Sequence, residues 1–162
     1  MNIDPKHLNE AISEVLCSLN GITDLYPIQM KLLETLFNSD NIFFTASTNS
    51  GKTLPVVIYP LVLNALKKFG YSTVNNPKIL FVTALNSLQL SLLNNVRKIG
   101  IDCLALSSTN IKSALASTTP VLFISPEVLK VKTVTQSLLS NGSKFVLKVV
   151  DEAHLGKLHI FS

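Results

Sequence analysis

Two short stretches hold the residues with the clearest chemical capacity, ASTNSGKT (46–53) and VVDEAH (149–154). The first follows the apolar run NIFFT and precedes a helical pattern, which is the setting of a phosphate-binding loop. In such a loop the backbone N–H groups of Ala46, Ser47, Thr48, Asn49, Ser50 and Gly51 turn inward on an anion, and the helix N-terminus adds partial positive charge. Lys52 reaches the terminal phosphates, and the Thr53 hydroxyl is a ligand for Mg2+. Ala46 and Asn49 stand where glycines are common. Asparagine enters the left-handed region more readily than most side chains, so the turn is expected to survive at modest cost. Pro55, early in the following helix, is expected to remove a backbone bond near the loop.

The second stretch places an acidic pair at the carboxyl end of an apolar run. Asp151 is suited to hold Mg2+, and Glu152 to orient and deprotonate the water that attacks a γ-phosphate. Either motif alone has an ordinary explanation, a chance turn or a strand ending at the surface. Together in one chain they support each other.

Such residues need a sheet to position them. Short runs rich in β-branched and aromatic residues occur at 41–46, 78–84, 101–106, 120–125 and 145–154, each nearly continuous in apolar character, as strands buried on both faces are. Between them lie helical patterns. Leu85, Leu88, Leu92, Val96 and Ile99 recur at steps of three and four, and Asp4-Pro5 and Ser125-Pro126 each read as a cap before a first-turn proline. The alternation predicts an α/β fold with a parallel sheet and helices on both faces, its ligands at the carboxyl ends of the strands.

The chain has 162 residues, enough for one domain, and its formal charge of +4 comes from scattered Lys and Arg, which permits nucleic acid as a partner without requiring it. Cys17 and Cys103 are far apart and show no metal-ligand spacing with the histidines. The N-terminus is too charged for a signal peptide, and the apolar stretch from 54 to 63 is too short to span a bilayer. The expectation is an intracellular protein with no membrane association, nuclear if the source is eukaryotic and cytoplasmic otherwise.

The two motifs resemble motifs I and II of superfamily 2 helicases, and the text between them is most similar to the RecQ-like DNA helicases. FVTALNSLQLSLLNNVRKIGI (81–101) resembles that branch's motif Ia segment, and VLFISPEVL (121–129) its later strand ending in Ser-Pro-Glu. LYPIQMKLLETL (25–36) resembles the motif upstream of the phosphate loop, where a glutamine recognises adenine. The resemblance implies a RecA-like P-loop NTPase domain that binds ATP and Mg2+ and works on single-stranded or forked DNA, with 3′–5′ unwinding coupled to hydrolysis. It gives Gln29 the adenine, with Tyr26 nearby, and makes Lys52, Asp151, Glu152 and His154 the catalytic set, His154 coupling ATP state to nucleic acid. Thr83, Asn86, Ser125 and Glu127, at strand-to-helix connections, are then the nucleic-acid contacts.

The expected organisation is one partial helicase ATP-binding domain over 1–162: a helical lead-in (1–40), a RecA-like core (41–154) and a divergent tail (155–162). A motif III strand and a second RecA-like domain, present in the family, do not follow, so the chain alone is expected to bind ATP weakly, to be marginally stable or sticky and not to unwind DNA. Two alternatives stay open: an RNA helicase of the DEAD/DEAH type, suggested by Pro27-Ile28-Gln29, and a non-catalytic nucleic-acid-binding remnant.

Overall fold

The computed structural model describes residues 3–38, 51–71, 74–83 and 87–150, with only the backbone of Ser87 and Leu88. The expected strand at 41–46, the loop residues 46–50, Asn86 and the DEAH stretch lie outside the described residues. The chain forms two compact units, Met1–Pro77 with Ile99–Ile101 and Lys78–Lys98 with Asp102–Ser162.

In the first unit, α1 (Pro5–Cys17) opens as expected, with the Asp4 carboxylate accepting from Lys6 N at 2.8 Å and proline in the first turn. Leu8, Ala11, Ile12, Val15 and Leu16 form its buried stripe. α2 (Pro27–Asn38) buries Leu32, Leu33, Leu36 and Phe37 in the same way. α3 (Thr53–Ala65) packs against both and is apolar almost all round, and it is correspondingly buried from Pro55 to Pro60 and again at Val62 and Leu63. Pro55 costs α3 no internal bond. Pro55 is the third residue of α3, inside the first turn, where backbone nitrogens have no intrahelical acceptor anyway. Pro60 does remove an interior bond, yet the helix runs on to Ala65.

The second unit is built on a four-stranded, all-parallel sheet in the order β2-β3-β1-β4, where β1 is Lys78–Val82, β2 Cys103–Ala105, β3 Val121–Ile124 and β4 Phe145–Val150. Leu80 and Val82 pair in register with Leu122 and Ile124, and this face packs on α5 (Ile111–Ala116), α6 (Pro126–Leu129) and α7 (Lys132–Ser140). The opposite face carries Ile79, Phe81, Val121 and Phe123, with the two rings 5.3 Å apart. On that side α4 (Ser87–Lys98) covers β2, where the buried Cys103 thiol donates to Leu93 O at 3.6 Å. Helices therefore lie on both faces of the sheet.

Two expectations change in detail. The buried line of α4 runs through Gln89, Leu93 and Val96 rather than through Leu92, which sits half-buried on its flank. β4 is only partly buried, with Lys148 and Val150 exposed, because among the described strands it pairs with β1 alone and forms the sheet's edge. Among the described residues no helix is long and apolar enough to cross a membrane.

Lys78 opens β1 almost completely buried, its ammonium donating to Ser117 O at 2.6 Å and Thr119 O at 2.8 Å. Burial pulls its pKa below the ordinary 10.5, the nearby Lys144 charge adds to that, and Asp102 opposes it. The folded state therefore releases this proton before the unfolded state does. Stability contributed at Lys78 should rise with pH through the alkaline window below 10.5. Urea midpoints of wild type and Lys78→Met should diverge in favour of wild type across that window. A constant difference would contradict the burial of the charge.

Candidate nucleotide site

The site begins at the start of α2. Pro27 fixes the first helical residue, and Gln29, two residues on, folds its side chain back so that Oε1 accepts from Tyr26 N at 2.9 Å. This is the glutamine half of a capping box, and it satisfies a backbone N–H at the helix entrance. The other end of the amide reaches the phosphate-loop sequence: Nε2 donates to Gly51 O at 3.0 Å. Gln29 is 4 % exposed and belongs to the packed interior at the start of α2.

Gly51 has φ +65°, the left-handed conformation that glycine adopts without penalty. Its carbonyl accepts twice, from Gln29 Nε2 and from Leu54 N at 3.2 Å, which uses both lone pairs. Because the Gly51–Lys52 peptide is trans, the Lys52 N–H points away from the Gln29 amide. A Cβ on Gly51 would stand 2.5 Å from Gln29 Nε2, so any larger residue would force the glutamine amide or the loop to shift. Lys52 follows in helical conformation as the N-cap of α3, with Thr53 as its first residue. The chain thus enters a helix N-terminus directly behind the glycine, as anion binding by backbone N–H groups requires.

The chemistry of this set fits a nucleotide. Gln29 has used one of its two N–H groups and one lone pair of its oxygen. One donor and one acceptor remain, the pair that adenine presents a match for at N7 and N6. Tyr26, adjacent in sequence, is 72 % exposed and offers a ring face to solvent. The Thr53 hydroxyl in the first turn of α3 is a hard oxygen donor of the kind that Mg2+ takes.

The second unit holds the residues expected at the strand-to-helix connections. Thr83 follows β1 and donates its N–H to Ile124 O at 3.0 Å, which sets it beside Ser125 at the end of β3. Both are buried, Thr83 2 % and Ser125 1 % exposed. The Ser125 hydroxyl accepts from Val128 N at 3.2 Å and so caps α6, while Glu127 in that first turn is exposed. Ala46, Ser47, Thr48, Asn49, Ser50, Asn86, Asp151, Glu152 and His154 lie outside the described residues. What sequence reasoning missed is the direct bond between Gln29 and Gly51. The two are 22 positions apart, and no local pattern encodes their contact.

A family model described as DEAD/DEAH box helicase matches residues 26–157, a span that includes every residue of both motifs. No curated protein matches the chain.

Proposed function

The chain belongs to the DEAD/DEAH box helicase family, and we propose that it is the ATP-binding domain of a RecQ-like DNA helicase. Membership carries ATP-dependent, nucleic-acid helicase-type function in general. The observation that most supports a working nucleotide site is the bond from Gln29 to Gly51, which joins the adenine-reading position to the phosphate-binding glycine.

In this reading Gln29 holds adenine through its remaining donor and acceptor, and the backbone behind Gly51 receives the phosphates. Lys52 places its ammonium on the terminal phosphates, where charge builds during transfer. Thr53 and Asp151 are the residues that would hold Mg2+, which would neutralise phosphate charge when bound. Glu152 orients the attacking water and takes its proton, and His154 links that carboxylate pair to the nucleic-acid side. Thr83, Asn86, Ser125 and Glu127 follow the strand ends where a sugar-phosphate backbone is held. With the hydroxyls of Thr83 and Ser125 buried, Glu127 is the exposed member of the described set.

The choice of DNA rests on the segments at 81–101 and 121–129, whereas Pro27-Ile28-Gln29 favours RNA. Anisotropy titrations with single-stranded DNA and RNA of one sequence, with and without ATP, separate the two. Tighter binding of DNA in the presence of ATP is the expected result. A consistent preference for RNA would move the assignment to the RNA helicases.

A further inference from the structure

The second unit carries an open groove between α5 and α7, with a volume of about 510 Å3, floored in part by Leu115 and Ala116 and bordered by the 3₁₀ turn Gly142–Lys144. Its walls include Lys112, Lys144, Gln136, Ser137, Ser140 and Asn141, and no acidic residue. Lys144 Nζ donates to Leu115 O at 3.3 Å, which leaves two of its three N–H groups. Lys112 is exposed, and no hydrogen bond or ion pair holds it among the described residues. Behind the groove lies buried Lys78, on the carbonyls of Ser117 and Thr119, with one ammonium hydrogen left over.

Part of this arrangement is structural. Cations at the end of a helix satisfy its last carbonyls, which accounts for Lys78 and for one bond of Lys144. It does not account for Lys112, nor for the excess of charge. Asp102 and Glu127 are the only acidic residues described in this unit, and Asp102 is already engaged by the Thr119 hydroxyl at 2.7 Å. The repulsion between Lys78 and Lys144 has one partial counterweight, Asp102. An anion in the groove would supply another.

The remaining lining narrows the ligand. The Ser137 and Ser140 hydroxyls donate to Thr133 O and Gln136 O one turn back, so toward the groove their oxygens can only accept. The groove therefore offers ammonium groups for phosphates beside acceptors for sugar hydroxyls or base N–H groups. We propose that it holds a short stretch of single-stranded nucleic acid, with backbone phosphates on Lys112 and Lys144. The choice of nucleic acid over another polyanion rests on the helicase reading above.

The groove runs along α5 and α7 from Lys112 and Thr133, in their first turns, to the 3₁₀ turn that leads into β4. Thr83 and Ser125 follow the carboxyl ends of β1 and β3, and neither they nor Glu127 line the groove. The proposed contact thus uses residues other than those assigned to the strand-to-helix connections.

The test uses the full chain, fluorescein-labelled oligo(dT) and oligo(U), and anisotropy over a series of salt concentrations, for wild type, Lys112→Gln, Lys144→Gln and Lys112→Arg. Loss of one phosphate contact should lower the slope of log affinity against log salt by about one. Lys112→Gln should therefore bind several-fold more weakly, Lys112→Arg should retain wild-type binding, and ATP affinity should not change. Lys112 is exposed, so its substitution leaves the fold intact even if Lys144→Gln does not. An unchanged slope in Lys112→Gln with ATP binding intact would overturn the groove assignment alone. Loss of poly-glutamate binding without loss of oligonucleotide binding would assign the groove to an acidic protein instead. Absence of ATP binding in wild type would strike the helicase reading itself.

Discussion

Replacing Gly51 with alanine is expected to cost the chain its nucleotide and part of its stability. At φ +65° an L side chain is strained by about 1–2 kcal/mol. The added methyl would also stand 2.5 Å from Gln29 Nε2, so either the glutamine or the loop has to move. If the glutamine moves, the bond to Gly51 O is lost and a polar group that is 4 % exposed is left without its partner, at a further cost of about 1–3 kcal/mol. If the loop moves, the Lys52 N–H and the start of α3 leave the geometry that receives phosphate. Both routes end in lost affinity. ATP binding should fall on the order of a hundredfold, equivalent to about 2.8 kcal/mol. Calorimetric titration with ATP and urea denaturation measure the two effects separately, and an alanine variant with wild-type affinity and midpoint would contradict the close packing at this glycine.

Gln29→Glu is the finer probe, because it keeps the size of the side chain and changes only its hydrogens. One carboxylate oxygen can still accept from Tyr26 N. The other would face Gly51 O across the present 3.0 Å with no hydrogen between them, and two acceptors repel. The donor needed by adenine N7 is lost as well. A paired donor and acceptor on one base is worth about 1–3 kcal/mol of discrimination, so preference for ATP over GTP should fall by roughly tenfold to a hundredfold. The pH dependence has a definite sign. The protonated carboxyl can donate to Gly51 O, so folding raises the pKa of the new group above its unfolded value near 4.3. The stability deficit is then present at neutral pH and shrinks as pH falls toward that value. A variant equally destabilised at pH 4 and pH 7 would mean that the bond to Gly51 contributes little.

Much of this was legible from the residues in order. The parallel sheet followed from apolar runs separated by helical patterns, and β1, β2 and β3 lie inside the predicted runs. The caps at Asp4-Pro5 and Ser125-Pro126 were local signals, and local signals translate directly. Other features were not legible because they depend on partners distant in the chain. The edge position of β4 depends on pairing order, which an apolar run does not encode. Pro55 proved harmless because of where α3 begins, a boundary that shifts by only a residue or two. The placement of Lys78 and Lys144 at the end of α5, and of Lys112 and Lys144 along one groove, could not be seen in charges that look scattered along the sequence. For the site, Gln29 and Gly51 were both marked in advance, but the bond that makes them one unit was visible only in three dimensions.

The measurement closest to the central claim is a calorimetric titration of the unaltered chain with ATP and, separately, with GTP in the presence of Mg2+. Saturable ATP binding with one site per chain and clearly weaker GTP binding is the predicted result, since Gln29 retains the donor and acceptor that adenine requires. Equal affinity for the two nucleotides would contradict the role of Gln29, and absence of binding to either would contradict the nucleotide site.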